Sequence, residues 1–444
     1  MSRKNECVKE KIAEMDKIIS VVLVGAGNRA NVYASVSLEH PEKMKVVGIV
    51  DPDPVRRELM RERYNVSSEN CFEDVSEFVK REKFADAVIN GTMDHLHVPT
   101  SIPILEKGYD MLLEKPFAVN ETEMNELVEV ARKHGNKVVI GHVLRYTDFY
   151  RSIKNILLSG EIGKIISIET CEHVSYHHMA ASYVRGKWAS EKICFAPMLL
   201  AKSCHDVDIM LWMMKETDPT HVASFGSDFQ FGKERKPEGA GSRCMQDCPY
   251  VESCIFSAKS NYLAYPRWGQ YVWKCLEANK NLTPAQQEES LKTDNRYGKC
   301  VWDFERDGNV DHQALVFNFA NGATGTFSMV GGCAKPERNI HIVGTRGEIK
   351  GTFDDSRFVV RKMAPADSAL GYEERVYDLN VHGDMIGAAG GHGGGDEKLV
   401  HDFLDYLNGN EPSVSCATLE DSVISHRAVF KAMQSKYSGQ IVEV

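Results

Sequence analysis

The chain reads as two units. The first is an α/β N-terminal domain on a doubly wound parallel sheet; the second is an α+β C-terminal domain with a large, open, mostly antiparallel sheet. Three observations predict this. From residue 18 to about 149, short β-branched runs alternate with helix-spaced segments, the rhythm of parallel strands joined by crossover helices. From Gln313 to Arg361, runs joined by tight-turn pairs follow one another without intervening helices, which is the pattern of antiparallel hairpins. The length of 444 residues also exceeds one ordinary core. The expected division is a lead-in over 1–17, the first domain over 18–149 and the second over 150–444, with a polar insertion at about 227–309.

The chain is 43% hydrophobic and 26% charged, with a net charge of −10. That balance argues against nucleic acid or an anionic membrane surface as the main partner. No apolar run reaches membrane-spanning length. Met1 to Lys17 is charged and lacks the apolar core of a signal peptide. Twelve cysteines without an export signal point to a reducing, cytoplasmic setting, with thiols free or bound to metal.

The first element is the apolar run from Ile18 to Val24, a strand buried on both faces. It ends in Gly25-Ala26-Gly27-Asn28-Arg29-Ala30, a G-x-G-x-x-A turn, after which Ala30, Tyr33, Ala34 and Leu38 recur at helical spacing. Strand, tight turn and helix make a dinucleotide phosphate site. Gly25 permits the turn, Gly27 admits the pyrophosphate, and Ala30 lets the helix pack close on the strand. The second strand, Met44 to Val50, ends in Asp51. An acid there accepts from the ribose hydroxyls and repels a 2′-phosphate, predicting NAD over NADP; Arg56 and Arg57 act against that preference. The bland alternative is a plain strand–helix–strand unit with a turn aspartate. Further strands are expected at Asp86 to Asn90, Asp110 to Glu114 and Lys137 to Ile140, with helices at Ser101 to Lys107 and Met124 to His134. Ligands of such a sheet sit past the carboxyl ends of its strands. Thr92, His97, Glu114, Lys115, His142 and Arg145 lie there.

The glycine turn, Asp51, the loop ending in His97 and Glu114-Lys115-Pro116 together resemble the glucose–fructose oxidoreductase/inositol dehydrogenase (Gfo/Idh/MocA) family. The likeness is strong over the N-terminal half and looser to the C-terminus. It implies a Rossmann NAD-binding domain, and a second domain whose sheet covers the nicotinamide, builds the substrate pocket and supports a homo-oligomer, dimer or tetramer. It also implies that Lys115 touches the nicotinamide ribose and substrate, polarising a hydroxyl or carbonyl. The alternative for Lys115 is a solvated lysine before a turn proline.

In the second half, Asn321-Gly322 and Arg346-Gly347 punctuate two hairpins. Four stretches carry chemistry. Pro197 to Trp212 is an apolar helix with Lys202, His205, Asp206 and Asp208 in its first turns. The family's D-x-x-x-H-x-x-D pattern falls on Ala201, His205 and Asp208, so the first acid is missing and Lys202 stands beside the gap. His205 is the expected acid/base; the alternative is a capping or core histidine. His173 to His178 and Ser182 to Trp188 interleave rings, hydroxyls and cations on an expected loop, which suits a sugar through His177, Tyr183 and Arg185, or is purely structural. Arg145 and Asp208 join this substrate set. Ala388 to Asp396 is a glycine-rich loop around His392, a further substrate candidate, with Asp396 capping a helix. Cys244, Cys248, Cys254 and Cys300 lie in or beside a polar stretch with few aliphatics, which suggests a structural Zn2+ held by four thiolates, or else free thiols.

The leading expectation is an NAD-dependent oxidoreductase acting on a secondary hydroxyl of a sugar, glycoside or cyclitol. A second is a redox-neutral enzyme that cleaves glycosides through transient oxidation by bound NAD. A third is a non-catalytic dinucleotide-binding sensor, against which the presence of Lys115 and His205 argues.

Overall fold

A computed structural model describes residues 17–444 except 280, 367 and 380–390; for 391 and 392 it describes the backbone alone. Six parallel strands form the first sheet: β1 (Ile19–Val24), β2 (Met44–Val50), β3 (Cys71–Phe72), β4 (Ala87–Asn90), β5 (Asp110–Leu113) and β6 (Val138–Ile140). Their order is β3-β2-β1-β4-β5-β6. Helices α1 (Asn28–Ala34), α2 (Pro54–Tyr64), α3 (His97–Glu106) and α4 (Glu121–His134) cross between them. Val21, Val22 and Leu23 are fully buried, as strands covered on both faces require. The order reverses between β1 and β4, and that switch point is where such sheets bind ligands.

After α5 (Asp148–Leu158) the chain enters a nine-stranded sheet: β7 (Ile165–Ser175), β8 (Pro219–Ser227), β9 (His312–Phe319), β10 (Thr324–Cys333), β11 (Glu337–Gly344), β12 (Gly347–Thr352), β13 (Arg357–Met363), β14 (Tyr372–Asp378) and β15 (Val442–Glu443). The order is β14-β13-β12-β11-β7-β10-β9-β8-β15. Only the β7–β10 pair is parallel. Both expected hairpins form, and Gly322 takes the positive φ of 86° that its turn needs. Helices α6 (Cys204–Met213), α7 (Pro284–Lys292), α8 (Gly395–Leu407) and α9 (Leu419–Ser438) complete the framework. Helix α9 packs against β8 and α6. Along β9, exposed Ala314, Val316 and Asn318 alternate with buried Leu315 and Phe317, so the other sheet face is open.

Four local expectations are corrected. His173 to Ser175 is not loop but the end of β7, because Val174 continues the strand's inward alternation; Tyr176–His178 and Met179–Val184 are helical turns. The stretch from Pro197 to Trp212 is broken at Lys202-Ser203 into a turn, Met198–Ala201, and α6. Gly394 caps α8, while Asp396 lies in its first turn and pairs with Arg29. Leu38 does not continue α1, which ends at Ala34, but lies half exposed in the following turn, Val36–Glu39. Helix α8 returns to the first sheet, where Leu399, Val400 and Phe403 pack with Ala30 and Tyr33. The insertion has a small core of its own, including Tyr262, Trp268, Val272 and Leu291.

Candidate active site

The turn after β1 is shaped by two close approaches. Gly25 has φ +76°, and a Cβ there would lie 2.8 Å from the Thr92 backbone. A Cβ on Gly91 would meet that of Ala30 at 2.9 Å, so Ala30 is the point where α1 touches the sheet. At Gly27 the nearest atom to a Cβ is 3.9 Å away, leaving the backbone approachable. Asn28 Nδ2 is buried without a protein partner. Asp51 is buried; its Oδ2 accepts from Ala26 N at 2.8 Å and its Oδ1 from Asp53 N at 2.9 Å. An open glycine cradle, an orphaned amide donor and a fixed carboxylate fit a dinucleotide.

These groups line a cleft of about 790 Å³ that also contains Lys115, Lys202 and His205. Lys115 Nζ donates to Ala201 O at 2.8 Å, and its backbone N donates to Glu114 Oε2 at 2.8 Å. Burial pushes Glu114 up, but Arg29 and Lys115 hold it below the usual carboxylate range. Arg29 Nε donates to Glu114 at 2.7 Å, and its guanidinium also pairs with Asp396. His97 Nδ1 lies 2.6 Å from Pro116 O. A carbonyl can only accept, so Nδ1 carries the proton; burial keeps the ring neutral by pushing its pKa down.

Beside Lys202 is an ionic cluster that the sequence did not reveal. Lys202 Nζ lies 3.0 Å from Glu172 Oε1; Arg338 pairs with Glu172 and, at 2.9 Å, with Asp206. Burial and the adjoining Glu172 push Asp206 far up. Burial also opposes charge on Glu172, yet Arg338 and Lys202 hold it down at about 2. Lys202 and Arg338 thus set two cations against the two carboxyls. Arg338 arrives from β11, and neither local spacing nor composition announces its contact with Glu172 on β7.

The remaining candidates separate. Tyr183 lines the cleft, and His177 lines a small adjoining pocket, where it accepts from Trp268 Nε1 at 3.0 Å. Arg145 and Asp208 are buried against each other through bonds of 2.7 and 2.6 Å, and do not line the cleft. His142 is also buried, 3.6 Å from Asp208 and edge-on to His205. Burial lowers its pKa to about 4. Arg185 is fully buried in the insertion, donating to Lys299 O, Phe256 O and Tyr262 OH, which makes it a structural hub rather than a cleft residue. The His392 side chain lies outside the described residues. The fold gathers the four candidate cysteines: the bridge between Arg243 and Lys299 sets Cys300 beside Cys244, and Cys254 interacts with Cys244 and Cys248, although no three of the sulfurs come within 4.8 Å of one another. Cys244 also joins the insertion's apolar core, with its sulfur 3.5 Å from Arg185 Nη2.

The insertion also closes on the first domain. Arg56 Nη2 donates to Glu277 at 2.8 Å, and Tyr271, Val272 and Lys274 line the cleft opposite Asp51 and Pro52. Trp188 Nε1 donates to Asp94 at 2.9 Å.

A parallel sheet with this glycine cradle, joined to an open antiparallel sheet across a lysine- and histidine-lined cleft, defines an NAD-binding oxidoreductase. Residues 19–142 match the family described as "Oxidoreductase family, NAD-binding Rossmann fold", and residues 154–444 match its "C-terminal alpha/beta domain". The chain belongs to the Gfo/Idh/MocA family. It is 25% identical over 395 residues to YteT of Bacillus subtilis (strain 168), a protein named as an oxidoreductase, covering 87% of this chain and 88% of that one. It is 23% identical over 200 residues to inositol 2-dehydrogenase of Salmonella typhimurium (strain LT2), covering 45% of this chain and 54% of that one. An Agrobacterium radiobacter oxidoreductase solved with NAD+, L-tartaric acid and magnesium shares the fold with a TM-score of 0.64, at 15% identity over 96% of this chain and 98% of that one. Among the described residues no helix is long and apolar enough to cross a membrane.

Proposed function

We propose that the enzyme transfers hydride between NAD(H) and a secondary hydroxyl or ketone of a sugar, glycoside or cyclitol. The observation supporting this is one cleft lined both by the glycine turn with Asp51 and by Lys115, Lys202 and His205. Gly25, Gly27 and Asn28 would hold the pyrophosphate and Asp51 the ribose. Arg56 is turned onto Glu277 and Asp51, and Arg57 onto the Asp51 carbonyl, so neither is left to meet a 2′-phosphate. When bound, NAD supplies the hydride acceptor.

The chain's own groups do the proton work. Lys115, steadied by the Ala201 carbonyl, binds the substrate oxygen and stabilises its charge as the hydroxyl proton leaves. His205 takes that proton. Where the family pattern has an acid this chain has Ala201, and Lys202, held by Glu172, stands beside that gap to take part of the acid's role.

The Arg56–Glu277 ion pair favours a second reading, redox-neutral cleavage with retained NAD, because it closes the insertion over the cofactor cleft. A panel of polyols, sugars and aryl glycosides, read for NADH and for released aglycone, separates the two. Net NADH supports the first reading, and cleavage without added nucleotide supports the second. Neither signal from any compound would contradict both.

A further inference from the structure

Away from the cleft, two histidines converge on one carboxylate oxygen. His40 caps the helical turn Val36–Glu39 and leads into β2. Glu397 and His401 are one turn apart on α8, so their side chains share a face. His40 Nε2 is 3.6 Å and His401 Nε2 3.5 Å from the same atom, Glu397 Oε1. All three ligand atoms lie within 4.8 Å of one another, and the two rings meet edge-on with centroids 4.9 Å apart.

These spacings are long for N–H···O bonds, which centre near 2.9–3.0 Å. They do match a metal polyhedron. With Zn–N and Zn–O bonds of about 2.1 Å, the edge of a tetrahedron is about 3.4 Å. The outer shell is in place for one ligand: His40 Nδ1 is 3.2 Å from Glu42 Oε1, which fixes the proton on Nδ1 and leaves Nε2 bare toward Glu397. Lys43 Nζ is 3.5 Å from His401 Nδ1. For His401 to ligate through Nε2, this exposed ammonium must swing to solvent, which its flexible stem allows. Glu42 and Glu397 against Lys43 leave the cluster one negative charge, suited to a dication. Imidazole and carboxylate donors, partly exposed and with room for water, favour a late first-row metal.

We propose that His40, Glu397 and His401 form a three-ligand site for a late first-row divalent cation, Zn2+ foremost, with water completing the shell. The site would tie the turn before β2 to α8, whose Asp396, next to Glu397 in sequence, pairs with Arg29 in the cofactor cleft. Its role would be to staple α8 against the first domain.

The test is titration of the chelator-stripped, full-length protein with Zn2+ by calorimetry and with Co2+ by visible absorption, for the wild type, His401→Ala and Glu397→Gln. One equivalent should bind the wild type and raise its melting temperature. Both variants should bind about tenfold or more weakly and lose the thermal gain. The Co2+ spectrum should lack thiolate charge-transfer bands, which separates this site from the cysteines. Wild-type affinity in either variant, thiolate bands, or no stoichiometric binding to the wild type would overturn the proposal; if one variant fails to fold, the other decides.

Discussion

At the residue scale the proposed mechanism divides the work between two groups: Lys115 would stabilise charge on the substrate oxygen, and His205 would move its proton. Lys115→Ala should lower turnover by about 10²–10³-fold, the cost of removing one positioned donor to developing charge. NAD affinity should hardly change, because the phosphate cradle is a separate set of groups; nucleotide titration beside steady-state rates checks both. Buried imidazoles make a second residue-scale prediction. Burial pushes His97, His142 and His178 below the ordinary value, His142 to about 4. An unfolded histidine protonates near 6.5. Between those values the unfolded chain binds more protons, so the stability these rings contribute is present above about pH 6.5 and is lost as pH falls toward 4. Urea midpoints at pH 7.5 and pH 5 should therefore fall on acidification, and by less in His142→Gln. An unchanged midpoint would contradict this assignment of neutral rings.

At the scale of elements, the glycine turn, β2 with Asp51, and Glu114-Lys115-Pro116 are legible in sequence because each is local. One short segment sets its own backbone, and the sheet does the rest. The ionic cluster is not legible, since Glu172, Lys202, Asp206 and Arg338 come from three separate segments and meet only when β7 pairs with β11. Arg145 and Asp208 look like cleft residues in sequence because they follow β6 and begin α6. Folding instead turns them onto each other. The insertion's small core is not legible either, because its few aliphatics are supplemented by Tyr262, Trp268 and Tyr297 from scattered positions. Its contact with α2 gives a prediction. Glu277→Gln should speed NAD release in stopped-flow fluorescence and narrow the preference for NAD over NADP, since Arg56 loses the partner that turns it from a 2′-phosphate. Equal affinities for the two nucleotides in the wild type would remove Asp51 as the selector.

At the scale of the whole molecule, two sheets present one shared cleft and one open face. Phe225 and Val316, 70% and 52% exposed, lie on that face beside exposed Ala314. Apolar exposure of this kind on a sheet fits a second copy. Light scattering should find an oligomer, and Val316→Asp a smaller species; a monomeric wild type would exclude the open face as an interface. The central claim concerns the cleft: bound NAD and Lys115 act on one secondary hydroxyl. The most direct measurement is the 340 nm absorbance of the NAD-loaded protein in a single turnover, after mixing with each member of a polyol, sugar and glycoside panel. At least one compound should produce NADH, whether lasting or transient, and that signal should vanish in Lys115→Ala. No absorbance change with any compound, or an equal rate in the variant, would contradict the account.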